Sequence, residues 1–597
     1  MAQSPNDASE GVLRVSLTSN GQALPDTTQL ISVHIDRAVN AIPVAKIVIA
    51  DGEIATQAFP VSDGDDFAPG AKIKISAGYG DTETAIFEGV VVKHAVKITG
   101  ENYSRLVVEC RDAAVKMTIG RKNANYVDKK DSDIISSMIG SYGGLSADVE
   151  ATTVEYKELV QYYCSDWDFM LSRAEVNGQL VIVTDGSVSV KAPNTSAAAS
   201  LEVTYGGDLM EFHAEMDARW QYASAEAVSW DSSTQAVTVS TAAKPQTLNT
   251  QGNIDSAKLA EVVNLSSLCL QTAAPQTQDA LSKWATAQQV KSGLARIRGR
   301  LKFQGSALAK VGTLLTLNGV GTRYNGDVFV GAVHHELIDG NWITEVEFGL
   351  APNWFAERTD IVAPPAGGFL PGVEGLQIGV VMKLDGDPEG HQRIQVSTPV
   401  MRPAKDGVWA RLTKFYASDS FGAFFIPEVG DEVILGYLNN DPSHPVILGS
   451  LYSSKRKPPY EIAAENNLKA IVTRCKSKIE FNEEDKVITI TTPGNNKLIF
   501  SDTDKSILMQ DQNSNKLELN TSGITMDSPK NIKINAQGTI DITAMGAISI
   551  GSQADVKATG LNVNCEGQVG FVGKGNATAE LSASGQTTVS GAMVMIN

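Results

Sequence analysis

Cysteine is scarce in this chain. Cys110, Cys164, Cys269, Cys475 and Cys565 stand alone, odd in number and without a CxxC spacing, and they read as reduced, structural thiols of a protein folded in the cytosol. Basic charge is also short: 50 Lys and Arg face 68 Asp and Glu, a formal charge of −18. With no basic stripe to displace counterions from phosphates, nucleic acid is excluded as a partner. No apolar run approaches the roughly 20 residues that cross a bilayer, and Met1 to Gly11 lacks the basic and apolar regions of a signal peptide. Catalytic motifs are missing too. His335-Glu336 has no second His of a zincin, there is no GxSxG, and the glycines from Gly567 to Gly573 miss the Walker spacing and the Ser or Thr after Lys574. The expectation is a chain with no catalytic residues, no cofactor and no metal, in which His334 and His335 are structural.

What is abundant is a short repeat. Ile524/Met526, Ile532/Ile534, Ile540/Ile542, Ile548/Ile550 and Val556 start eight residues apart. Each unit is two apolar residues around one middle residue, then a polar spacer, which reads as a half-buried strand and a turn. The pattern continues through Leu561, Val569 and Ala577, and a looser form precedes it from Ile479 through Phe481, Ile488, Leu498, Ile507 and Leu517. A single-chain β-helix needs about 18 or more residues per coil. A turn every eight residues with two inward side chains cannot close such a prism alone, whereas three chains can, each supplying one face. The spacing therefore predicts a three-stranded rod with Ile524, Ile532, Ile534, Ile540, Ile542, Ile548, Ile550 and Val556 in its core. The alternatives are a flat sheet or a monomeric solenoid.

The rest of the chain alternates like strands, broken by Gly, Asn and Asp, and Gly numbers 52 against 6% aromatics. Two helices interrupt the first part, Ser132 to Ile139 and Ser165 to Glu175, the second with Ser165 and Asp168 as a capping box and Asn177-Gly178 as its stop. A longer helix runs from Gln276 to about Gly293. The expected domains are a first barrel with a helical insert at 1–200, a second barrel at 201–362, a Pro- and Gly-rich linker at 363–374, an OB-like barrel at 375–452, a connector at 453–478 and the rod at 479–597. The fold class is mainly β.

Pro427, Gly430, Asp431, Glu432 and Gly436, then Asp441, Pro445 and Gly449, form one signature within the OB-like segment. Their chemistry is that of a scaffold: the glycines permit tight turns, Asp431 and Asp441 hold turns by side-chain to backbone bonds, and the prolines fix strand entry. An active-site reading of Asp431, Glu432 and His444 is the weaker one. This signature resembles the OB domain of VgrG-type spikes of contractile injection systems. The Ser165 to Glu175 helix and the Gly326 to Leu350 strand pair are similar to the family's baseplate-hub barrels, so the order of hub, OB and β-helix covers nearly the whole chain.

The resemblance implies a homotrimeric spike and hub that punctures an envelope mechanically. It implies inner tube proteins and baseplate components as partners at the N-terminal hub, effector cargo, and transient contact with a target membrane. Two similar barrels per chain would let three chains match a sixfold tube. Residues 453–478 leave no room for the lysozyme domain of some phage relatives. After His444 there is no His for a metal-bearing tip. Met593, Val594, Met595, Ile596 and Asn597 instead form an apolar end, expected to dock a PAAR-repeat tip protein or to plug the last layer. The chain is expected to be assembled in the cytoplasm and delivered or released outside. The rival is a trimeric tail fibre that binds or cleaves polysaccharide; the absence of Trp and Tyr after Ala470 argues against it.

Overall fold

The computed structural model describes all residues except 1, 9, 10, 26, 101, 102, 247, 401–406 and 597. Contacts divide the chain into two compact units, 1–451 and 452–597. Among the described residues no helix is long and apolar enough to cross a membrane.

The first unit is built on one thirteen-stranded sheet. Its seam is the antiparallel pairing of Leu30–Ala38 with Gly326–Ile338, from Ala332 opposite Ala38 to Ile338 opposite Ser32. On one side of the seam lie Val44–Ala50, Ser104–Arg111, Thr84–Ile98, Lys72–Tyr79 and Leu13–Ser19; on the other lie Asn341–Phe348, Ile297–Gln304 and Glu211–Met216. Alternation along these strands buries two apolar cores. The first gathers Val33, Ile35, Ile47, Ile75, Phe87 and Val108, and the second Leu301, Phe303, Leu317, Val328, Val346 and Phe348. The cores do not follow the halves of the chain, because Leu337 and Trp342 from the later strands complete the first one.

Among the described residues there are four α-helices: α1 (Asp131–Gly140), α2 (Asp166–Val176), α3 (Ser256–Val263) and α4 (Gln278–Leu294). Ser165 caps α2 by accepting from Asp168 N at 3.1 Å, and Gly178 follows with φ +70°, so the capping signal and the stop act where the sequence places them. Arg173 of α2 holds the fully buried Asp131 of α1 with two bonds of 2.7 and 3.0 Å. A short helix, α3, went unread in the sequence; Asp255 caps it and Asn264 ends it with φ +55°.

A third element of the unit is a closed barrel of five strands, Gln377–Lys383, Ile394–Ser397, Val408–Leu412, Glu432–Tyr437 and Pro445–Ser450. Val381, Val396, Ala410, Val433, Leu435 and Ile447 fill it. Gly422–Ile426 forms no strand. Its residues belong to a finger between two barrel strands, held by the Ala417–Gly422 bridge and the Tyr416–Phe421 ring contact.

His335 sits at the seam, paired with Ile35 on one side and Thr344 on the other. Its Nδ1 lies 3.0 Å from Thr344 Oγ1 and accepts from Trp342 Nε1 at 3.3 Å. Tyr79 stacks on the same Trp at 5.7 Å, tying the seam to the far strands. Burial lowers the His335 pKa to about 3. Its neutral form stabilises the fold fully above the unfolded value of about 6.5, and that contribution is lost as the pH falls towards 3. Neighbouring His334 works in the opposite sense, since its bond to Asp36 raises its pKa and its contribution fades as the pH rises. By pH 4.5 protonation pressure on His335 amounts to roughly 2–3 kcal/mol. The variant His335→Gln, which keeps an acceptor but does not titrate, is expected to flatten the loss of melting temperature between pH 7 and 4.5. Equal slopes for the two proteins would show that His335 does not carry the acid sensitivity.

Candidate functional site

The OB signature folds into one turn and one hairpin of the closed barrel. Glu428 N donates to Asp431 Oδ2 at 2.8 Å and Asp431 N to Glu428 O at 3.0 Å, closing the turn. Within it Gly430 takes φ +84° and its N–H reaches Val381 O at 2.7 Å, so the positive φ is required where the turn meets the first barrel strand. Pro427 is buried at the entry. Glu432 starts the next strand opposite Val380 and Gly436 faces Val446. Asp441 accepts from Ser443 N at 2.8 Å and lies 3.1 Å from His444 Nδ1, before Pro445 opens the last strand. Gly449 pairs with Ile434 beside the register shift of that hairpin. The Asp431 and Asp441 carboxylates are thus engaged in turn geometry. Among the described residues no cluster of three or more His, Cys, Asp or Glu could hold a metal ion.

The second unit is organised differently. Seven strands, Leu468–Val472, Lys478–Asn482, Val487–Thr491, Lys497–Ser501, Ser506–Gln510, Lys516–Asn520 and Gly523–Asp527, pair in sequence order as an antiparallel meander. The looser spacing upstream of the octads thus has a cause: each five-residue strand alternates with a four- or five-residue hairpin until the last, shorter turn. Left-handed residues Lys476, Lys486, Asn495, Lys505 and Ser514 carry the turns. The meander begins at Leu468, one strand earlier than the repeat in the sequence shows.

Register aligns the apolar residues into two rows on one face. One row runs Ile471, Ile479, Ile490, Leu498, Met509, Leu517 and Met526; the other runs Phe481, Ile488, Phe500, Ile507, Leu519 and Ile524. The opposite face includes Glu480, Thr489 and Glu518, with Lys478 on Glu480 at 2.8 Å. Among the described residues none closes over the apolar rows: Ile479 is 38% exposed, Met509 55% and Ile524 73%. A contiguous apolar face of this kind marks an interaction surface.

Beyond Asp527 the described residues form no ladder within the chain. Ile532, Ile534, Ile540, Ile542, Ile548, Ile550 and Val556 are between 51% and 77% exposed. The single chain therefore does not gather them into a core. Met593, Val594, Met595 and Ile596 are exposed as well; Asn597 lies outside the described residues. The finger between Thr413 and Asp431 is not among the site residues the sequence points to. It exposes Phe415, Tyr416, Phe421, Phe424 and Phe425, and the signal that marks it is five aromatics within eleven residues.

Residues 9–339 match the family model described as the Alg8 N-terminal domain, and residues 377–452 match the type VI secretion system/phage-baseplate injector OB domain. The chain is similar to the actin cross-linking toxin VgrG1 of Vibrio cholerae serotype O1, 29% identical over 120 residues, which cover 19% of this chain and 11% of the relative. It is also similar to the type VI secretion system spike protein VgrG1b of Pseudomonas aeruginosa, 30% identical over 124 residues, covering 19% of this chain and 17% of that protein. The chain thus spans less than a fifth of either relative's length. A solved chain of the Francisella PdpA–VgrG complex aligns with 87% of this chain and 80% of its own at 9% identity, with a TM-score of 0.38, below the level at which a shared fold follows.

Gly430 and Gly449 separate turn geometry from crowding. A side chain at Gly430 must adopt a left-handed backbone, whereas nothing lies within 4 Å of a Cβ placed on Gly449. Gly430→Ala is expected to weaken the barrel by about 1–2 kcal/mol, raising hydrogen exchange across Glu432–Tyr437 roughly 5- to 30-fold. Gly449→Ala is expected to leave exchange there within about twofold of wild type, and equal effects of the two would refute the assigned role of the turn.

Proposed function

The chain belongs to the Alg8 N-terminal domain family, and from that premise we propose that it is the spike and hub of a contractile injection system, piercing its target mechanically. The observation that carries this reading is the uncovered pair of apolar rows in the meander, on a chain that also holds an injector OB barrel. In this reading residues 1–200 and 201–362 form the hub, 375–452 the OB barrel and 479–597 the spike, with 363–374 and 453–478 as connections.

Three copies pack their apolar faces around a common axis. Ile524, Ile532, Ile534, Ile540, Ile542, Ile548, Ile550 and Val556 then become the dry interior, each contributing roughly 1.5–3 kcal/mol on full burial. Stiffness, not bond chemistry, is the working property: contraction elsewhere in the particle supplies the force and the rod transmits it. Inner tube and baseplate proteins seat on the hub, and an effector travels as cargo. The exposed Met593, Val594, Met595 and Ile596 dock a PAAR-repeat tip protein, and contact with the target membrane is transient. Assembly takes place in the cytoplasm, with delivery or release outside. One relative is named an actin cross-linking toxin; the matched 120 residues assign no such activity to this chain.

Charge in the interior is the direct test. Ile540→Asp places three carboxylates on one axis without partners, which the rod cannot accommodate. The variant is expected to lose SDS-resistant trimers on gels, while Ser549→Asp, at an outward position between Ile548 and Ile550, keeps them. SDS-resistant trimers of Ile540→Asp at wild-type yield would sink the packing.

A further inference from the structure

The aromatic finger is a built element of the closed barrel. Ser418 N donates to Phe421 O and Ala423 N to Tyr416 O, both at 2.9 Å, and the Tyr416 and Phe421 rings lie 5.9 Å apart. This small hairpin holds Phe415, Tyr416, Phe421, Phe424 and Phe425 out in solvent, between 55% and 89% exposed. At about 150–250 Å² per ring, the five offer on the order of 700 Å² of mostly apolar surface, close to the roughly 800 Å² that each partner gives to a standard interface.

A second apolar surface lies on the outside of the same barrel. Val433-Ile-Leu435 and Val446-Ile-Leu448 are continuous apolar runs, the pattern of strands covered on both faces. Val433, Leu435 and Ile447 fill the interior, so alternation turns their neighbours outward. There Ile378 stands opposite Ile434 and Val446 opposite Gly436. A Cβ on Gly436 would meet Leu448 Cδ1 at 3.3 Å, which places Leu448 over this face too. Ile378 and Leu448 are exposed while the finger rings are exposed as well, so the finger does not cover the face of its own barrel.

Charge matches the two surfaces. Lys414, at the base of the finger, is half-buried without an ion pair among the described residues, and burial lowers its pKa. Glu432 stands on the outer face opposite Val380 and has no cation paired with it among the described residues. Burying a cation without a counter-charge is costly, and a carboxylate on the facing surface relieves it. A finger and a face that are different parts of one chain meet head to tail, and such contacts close into a ring when rotation relates the copies. A membrane would take up the rings of the finger and leave the outer face of the barrel bare.

We propose that the finger of one copy docks on the outer apolar face of the next copy's barrel, with Lys414 meeting Glu432. The contact rests on the three-copy reading above and adds a ring of contacts at the barrels, separate from the shared rod.

Photo-cross-linking of the full-length protein tests this, with p-benzoylphenylalanine in place of Phe424, whose ring packs against nothing that the replacement could disturb. Mass spectrometry after complete denaturation is expected to show covalent dimers and trimers, with the adducts on peptides containing 377–383, 432–437 or 445–450. Lys414→Glu is expected to cut their yield at least threefold, and Glu432→Lys added to it to restore the yield to within twofold. A protein that scatters light as a trimer but forms adducts only within one chain, or only at other peptides, overturns the docking and leaves the shared rod standing. A protein that scatters as a single chain overturns both. Adducts to lipid in phosphatidylethanolamine–phosphatidylglycerol vesicles in place of adducts between chains assign the finger to a membrane, and these or a double variant no better than Lys414→Glu likewise overturn the docking.

Discussion

A five-residue strand offers two side chains to one face and three to the other, and a meander of such strands is too narrow to fold over on itself. In the second unit that limit leaves Ile479, Ile490, Leu498, Phe500, Ile507 and Leu519 on a face the chain does not cover. Apolar burial scales with the area removed from water, so the ordering of this segment depends on surface supplied from outside the chain. Past Asp527 the dependence deepens, because even the backbone of the described residues finds no ladder. Buried backbone groups must be paired. In the proposed trimer, other copies would bring both apolar cover and strand partners.

The first unit satisfies itself. Its long sheet buries two cores, and the seam between Leu30–Ala38 and Gly326–Ile338 joins residues some 300 positions apart in the sequence. Trp342 and His335 fill the seam from the later strands, with Tyr79 stacked against them. The first unit thus buries its own apolar residues, whereas the meander leaves an apolar face open. The OB barrel is likewise complete, its signature consumed by turn geometry at Gly430, Asp431 and Asp441.

Local signals were legible in the sequence and distant ones were not. The Ser165 and Asp168 cap and the Asn177-Gly178 stop mark α2 because capping acts within four residues. The octads stand out because their period is written along the chain. By contrast α3 is only eight residues long and its apolar pattern is too short to stand out. Gly422–Ile426 has strand-forming residues but lacks a neighbouring strand, so it settles into the aromatic finger. Leu468–Val472 pairs because of its partner, Lys478–Asn482, and not because of the repeat. The seam arises from contacts between far-separated segments, which no local pattern encodes.

The central claim is that several copies share one interior, and mass in solution tests it most directly. Light scattering on the full-length protein is expected to give three times the chain mass of 63.5 kDa, with a weaker assembly for a chain ending at Ser453. A full-length protein that scatters as a single 63.5 kDa chain at micromolar concentration would contradict the shared interior.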